Sequence, residues 1–384
     1  MMRLFHLQTT ISIFILIQCA YAFLPYEKGS ISTRLSAMAD KDEEALSRAR
    51  NDARTDIRNL LTQRAIQSFM FLCEGVRDPH SGKWIEDFLE TKNQLEFHGT
   101  GIGYIAKFGG RWDSPLLAMV GRPKDVVVVS AKRRGNGHGG WSKNNPYLKD
   151  RYVEFNIDID PVSLANRILA VREQIAAEWV ADLDVLAEAN EGILESYFKL
   201  AKEERAKKDD ELTHTPEVAF ERTAVNLLGN TTNFQRGSSS PFRKGNFDLM
   251  YNLCTQASIH RILREFKEAG EVKAISFAWL RDFYTDRVAE YFDGSQEYGR
   301  ADDFIEELLL SSPSVIYTDD GKVGLADPMG LAEEIITKRK EIVEEWKKLM
   351  ISVPQDHEDG IRRIILEKQM ESWGSSGSPL GGFE

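Results

Sequence analysis

Apolar residues recur at helical spacing along most of this chain. The clearest case opens at Asp160-Pro161 and runs through Leu164, Ala165, Ile168, Arg172, Ile175, Glu178 and Trp179. A second run opens at Asp327-Pro328 and passes through Leu331, Ala332, Ile335, Arg339, Ile342, Glu345 and Trp346, each position offset by 167. Asp caps free backbone N–H groups, and Pro at the first helical position gives up a donor that had no partner there. Steps of three, four and seven then make one apolar stripe, so the spacing predicts a helix used twice. The first copy keeps its period through Leu183, Leu186, Ile193, Tyr197 and Leu200, and Glu203 to Glu211 ends it. About forty helical residues would reach roughly 60 Å, and a kink is expected near Asn190 to Gly192.

Other stretches fill in around this pair. Asp40 to Cys73 reads as a long amphipathic helix on Leu46, Ala49, Ala53, Ile57, Leu60, Ala65 and Leu72. A short helix follows over Lys83 to Glu90. Between Phe97 and Asp158 the pattern turns to strand, at Gly101 to Phe108, Leu116 to Val120, Val126 to Val129 and Tyr152 to Ile157. Downstream, Asn246 is placed to cap a helix reaching Phe266, with Gly270 closing it. Further helices are expected over Val272 to Phe292 and Arg300 to Leu310. A hairpin of Val315 to Tyr317 and Val323 to Ala326 turns at Asp320-Gly321. The second Asp-Pro helix should end near Met350, and a last helix covers Glu358 to Trp373.

Shorter echoes support two related halves. Thr62-Gln63 with Ile66 matches Thr255-Gln256 with Ile259, and Trp84-x-x-Asp87-Phe88 matches Trp279-x-x-Asp282-Phe283. The order is the same in both: Thr-Gln helix, Trp-Asp-Phe helix, strand, Asp-Pro helix. The expected fold is α+β and helix-dominated, a small, mainly antiparallel sheet with long amphipathic helices and an internal duplication. The halves are bounded as residues 39–228 and 246–373, joined by a Gly/Ser/Asn/Thr-rich linker over 229–245, with a disordered tail over 374–384.

The amino end reads as an address. Ile11 to Ile17 is an apolar run too short to span a bilayer, and Ala20-Tyr21-Ala22 is a small-residue cleavage signal. Phe23-Leu24-Pro25 follows, then Lys28, Ser30, Ser32, Thr33, Arg34 and Ser36 with Glu27 as the one acid. This arrangement resembles the two-part plastid presequences of algae with red-derived complex plastids, such as diatoms. There, a Phe directly after the signal-peptide cut opens a hydroxyl-rich, basic transit peptide. The resemblance covers about a tenth of the chain. It implies a signal peptide over residues 1–22, a transit peptide over 23–38 and a destination in the plastid stroma; it implies no activity. Plain secretion is the competing reading, in which Asn230-Thr231-Thr232 is a glycosylation acceptor.

Composition narrows the partners. The chain carries 49 Lys and Arg against 60 Asp and Glu, a formal charge of −11. That acidity argues against general nucleic-acid or anionic-membrane binding. Of three cysteines, Cys73 and Cys254 lie beyond the presequence; two cysteines make neither a disulfide framework nor a metal cluster, and no metal or cofactor is expected. No transmembrane anchor is expected either.

Candidate chemistry concentrates in one loop, Lys132-Arg133-Arg134-Gly135-Asn136-Gly137-His138-Gly139-Gly140-Trp141-Ser142-Lys143, which joins two strands. With Lys149 and Arg151 it is a basic island in an acidic protein. Guanidinium groups and glycine amides suit phosphate or carboxylate, and Trp141 suits stacking. The anion- or partner-binding candidates are Lys132, Arg133, Arg134, His138, Trp141 and Lys143. The bland reading is a solvated loop. A weaker dinucleotide-like pattern, Gly101-x-Gly103-x-x-Ala106, lacks the preceding strand it needs. Arg236, Arg243 and Lys244 form a smaller basic patch in the linker.

Arg172 and Arg339 sit on the packing stripes, where an unpaired charge costs several kcal/mol, roughly 3–5 when one partner is removed. Structural ion pairs of Arg172 with Asp87 and of Arg339 with Asp282 are expected, because these acids belong to the other repeated motif; anion clamping is the alternative. The pattern as a whole favours a plastid binding or assembly factor that docks a protein partner or phosphate-bearing ligand, with RNA less favoured. The rival is an enzyme acting on an anionic substrate with His98, His138 and Arg133 at its site. No catalytic residue can be assigned from the sequence.

Overall fold

The structure is a computed structural model. It describes residues 55–76, 78–97, 99–100, 107–108, 110–133, 151–208, 240–292, 300–317 and 323–375, all within one compact unit, Thr55–Glu384. Helix dominates, with two antiparallel hairpins, so the fold is α+β as the patterning predicts. The order is α1 (Ile57–Gly75), α2 (Pro79–Leu89), α3 (Ser114–Val120), β1 (Asp125–Arg133), β2 (Arg151–Ile159) and α4 (Pro161–Lys208). It continues with α5 (Arg243–Ala269), a 3-10 turn (Gly270–Lys273), α6 (Ala274–Tyr291), α7 (Arg300–Leu310), β3 (Ser314–Tyr317), β4 (Val323–Ala326) and α8 (Pro328–His357). A π turn (Glu358–Arg362) and α9 (Arg363–Ser375) close the described chain.

The Thr-Gln helices α1 and α5 form the interior. Almost every face of α1 is buried, polar residues included: Asn59, Thr62, Gln63, Arg64, Gln67 and Ser68 are all within 3% of full burial. This differs from the expected amphipathic helix over Asp40 to Cys73, as does the start: Asp56 accepts from the Arg58 amide and caps α1 at Ile57, and residues 40–54 lie outside those described. Buried polar groups need partners, and α1 finds several in the chain that follows α2. Gln63 Nε2 donates to the Gly99 carbonyl at 2.9 Å, Gln67 Nε2 to those of Gln94 and Phe97 at 2.7 and 2.9 Å, and Asn59 Nδ2 to that of Gly110 at 3.1 Å. Arg64 bridges to Asn246 on α5. Asn246, expected as a cap, instead lies inside α5, which starts at Arg243.

The two Asp-Pro helices pack antiparallel. Lys340 meets Glu191 at 3.2 Å, Lys347 meets Asp184 at 2.6 Å and His357 meets Glu173 at 2.8 Å, so the residue number falls on one helix as it rises on the other. Both starts are built as expected. Asp160 accepts from the Val162 amide at 3.1 Å and Asp327 from the Gly330 amide at 3.2 Å. The apolar stripe is the core: Leu164, Ile168, Ile175 and Trp179 are within 4% of full burial, and so are Leu331, Ile335, Ile342 and Trp346. One expected kink and one expected end differ. The first helix runs unbroken through Asn190 to Gly192. The second continues past Met350 and through Pro354, which lies on its exposed face.

Leu116 to Val120 is helix, not strand. Pro115 opens α3, and Leu116, Met119 and Val120 point inward at steps of three and four; a run this short carries either period. Among the described residues, the remaining strands pair as two hairpins, β1 with β2 and β3 with β4, rather than as one sheet. Residues 101–106 lie outside those described.

Candidate functional site

The basic loop springs from the first hairpin. Nine ladder positions run from Asp125 opposite Ile159 to Arg133 opposite Arg151. At about 3.3 Å per residue the ribbon carries its far end roughly 30 Å along the strands. Lys132 lies opposite Tyr152 and Arg133 opposite Arg151, so three cations occupy two neighbouring ladder positions. Like charges directly opposite one another repel. Among the described residues no third strand joins this pair. Val126, Val128 and Phe155 are exposed at 51%, 60% and 48%. Of the sequence-derived candidates, Lys132 and Arg133 therefore belong to β1; Arg134, His138, Trp141 and Lys143 lie outside the described residues, as does His98.

The two stripe arginines are fully buried, at 0% exposure, but their partners correct the expectation. Asp87 meets Lys83 at 3.5 Å and Asp282 meets Arg281 at 2.8 Å, both on the surface. A motif repeated in sequence shares a helix face, and in both α2 and α6 that acid faces outward. Arg172 instead lies over the Trp112 ring at 3.9 Å, donates Nε–H to Thr62 Oγ1 at 3.1 Å, and places Nη1 2.6 Å from His357 Nε2. Arg donates only, so His357 Nε2 is the acceptor and Nδ1 carries the proton. That proton goes to Glu173 Oε1 at 2.8 Å, and Arg362 closes the chain on the same oxygen at 2.8 Å. Burial first, then the Arg172 charge, lowers the His357 pKa to about 4, against the pull of Glu173. Burial also lowers Arg172, to about 9, which leaves it cationic at neutral pH. The arrangement ties α1, α4, α8 and the π turn together.

Arg339 lies over the Tyr251 ring at 4.3 Å, with Asp302 Oδ1 3.6 Å away, and the Tyr251 hydroxyl donates to the same Asp302 oxygen. Burial raises the Asp302 carboxyl and the nearby Arg339 pulls it back. Cys254, beside this group, is pushed up to about 12 by burial, and Cys73 is raised for the same reason; both stay thiols, unsuited to attack. Sequence reasoning missed Trp112, Tyr251, Asp302 and His357. Their distance along the chain from the arginines they serve left no local signal.

Arg243, read as part of a loose linker patch, is locked to the buried Asp182 at 2.7 Å. Ser240 donates its amide to Glu178 at 2.7 Å. Among the described residues, no cluster of His, Cys, Asp and Glu could hold a metal, and no helix is long and apolar enough to cross a membrane. Comparison with protein-family models, with curated proteins and with solved structures finds no match.

Proposed function

We propose that this protein is a plastid-stromal binding or assembly factor whose β1–β2 hairpin is a docking arm for an acidic protein partner. The observation that carries the reading is the like-charged end of the ribbon, where Arg133 faces Arg151 beside Lys132. Repulsion across a two-stranded ribbon works against its own folding, and such ribbons are marginal in water unless something covers them. An anionic surface relieves that repulsion. The chain as a whole carries the opposite sign, −11, so this arm stands out as a local basic site for an acidic partner. Such a field governs the rate and orientation of encounter more than final affinity.

The repeated order of helix, helix, helix, hairpin and long helix supports a second part of the proposal, that the body arose by duplication of a half-length unit. In this reading the second hairpin kept the short ancestral turn and the first acquired the basic loop.

The test is affinity capture from isolated plastids with the intact protein and with Lys132→Glu/Arg133→Glu/Arg151→Glu. Loss of the co-purifying partner in the variant is expected. An unchanged partner set would remove the arm from the account, and capture that disappears on ribonuclease treatment would replace the acidic protein with RNA. A fluorescent fusion of residues 1–38 should enter the plastid; secretion of the fusion would overturn the address.

A further inference from the structure

The Trp-x-x-Asp-Phe motif occurs twice, and the two copies are finished differently. In the second, the Trp279 and Phe283 rings stack at 4.9 Å. Arg287 then covers Phe283 at 3.9 Å and Phe304 meets it edge-on at 5.4 Å, leaving Phe283 7% exposed. In the first, Trp84 and Phe88 stack nearly parallel, with centroids 5.3 Å apart and planes 4° apart, and Phe108 stacks on Phe88 at 5.5 Å, yet Trp84 and Phe88 still line a groove of about 510 Å³. That is within the range of small-molecule sites, roughly 300–1,000 Å³. Trp84 is pinned there: its Nε1–H donates to Asp125 Oδ2 at 3.0 Å.

The groove is lined by both signs: Asp87 meets Lys83 at 3.5 Å and Asp125 accepts from the Trp84 indole, which leaves Arg122 and Lys124 as its less committed charges. Arg122 lies 5.7 Å from the centre of the Phe88 ring and, among the described residues, has no carboxylate partner. Lys124 lines the same wall, and its contact to Asp160 is a long one, 3.6 Å between exposed side chains. A stacked aromatic pair beside an uncommitted guanidinium suits a planar ring carrying an anionic group. The volume exceeds what a lone phenyl acid fills. The geometry points to a mononucleotide site, with the base on the Trp84–Phe88 pair and the phosphate at Arg122 and Lys124. It lies at the Asp125 end of β1, the opposite end of the ribbon from Arg133, and is independent of the docking arm.

Calorimetric titration of the full chain with adenosine 5′-monophosphate tests this, with inorganic phosphate and adenosine as separate probes. A dissociation constant between about 10 µM and 1 mM is expected for the nucleotide, with adenosine and phosphate each at least about tenfold weaker. Arg122→Gln/Lys124→Gln, exposed changes whose folding is checked by circular dichroism, should weaken the nucleotide by about tenfold or more. Phe88→Leu should weaken it as well, through the ring rather than the charge. Lys132→Gln/Arg133→Gln/Arg151→Gln should leave it unchanged. No heat with the nucleotide at about 5 mM, or undiminished binding in Arg122→Gln/Lys124→Gln, would overturn the site. Adenosine binding as tightly as the nucleotide would remove the phosphate from it, and loss of binding in the hairpin variant would move the ligand to the arm.

Discussion

At the residue scale, His357 is the most exacting position. Its ring is fully buried, accepts from Arg172 and donates to Glu173, which defines one neutral tautomer. Its pKa is about 4 in the fold and about 6.5 in an unfolded chain. The unfolded chain therefore takes up a proton first as pH falls. The contribution is complete above about pH 6.5, declines between 6.5 and 4, and is absent below; it amounts to about 3 kcal/mol. Urea midpoints measured across that window should fall with pH, and His357→Gln should flatten the slope. A slope identical in the variant would exclude the imidazole as the titrating group. Arg172→Ala should cost roughly 3–5 kcal/mol, whereas Arg172→Met, which fills the same volume without a charge, should cost clearly less. Equal losses would mean that the hydrogen-bonded charge, not the volume, is what the site requires. That each arginine sits on a buried face was legible from its place in the stripe. Its partners were not, because Thr62, Trp112 and His357 come together only through tertiary packing.

At the element scale, the terminal signals transferred well and the short runs did not. Asp-Pro at each long helix is a local device, complete within four residues, so the sequence suffices to read it. Asp327→Ala should cost about 1 kcal/mol in thermal or chemical unfolding; no loss would mean that Pro328 and the packing stripe alone define the start. Leu116 to Val120 misled because five apolar residues carry no decisive period. The second Asp-Pro helix outlasted its expected end because burial along one face outweighs a single weak residue such as Pro354, whereas the first ends within the charged stretch expected to end it. At the second hairpin, a Cβ on Gly324 would fall 1.8 Å from Ile275 Cδ1. Gly324→Ala should therefore destabilise by about 1–3 kcal/mol, and Ile275→Ala in the same chain should recover part of it. Additive losses in the double variant would show that the hairpin does not rest on α6 there.

At the scale of the whole molecule, the two halves are interlocked. Arg64 reaches Asn246, Arg172 reaches His357, and Lys340 and Lys347 reach Glu191 and Asp184. Residues 55–375 should consequently unfold in one cooperative transition; two separated transitions would mean that the halves are independent domains. The recurrence of Asp-Pro helices was visible in the sequence as a fixed offset, and the packing of one against the other accounts for the matching buried positions on both. The hairpins were visible as strands but not as separate ribbons, since alternation within a strand does not say what pairs beyond it.

The docking arm is tested most directly by the salt dependence of its binding. The affinity of the captured partner should fall as ionic strength rises, because exposed charges are screened over about 10 Å at 0.1 M salt. Neutralising Lys132, Arg133 and Arg151 to Gln should lower the affinity at low salt and flatten that dependence. A partner that binds the intact and neutralised proteins with the same affinity and the same salt slope would contradict the account.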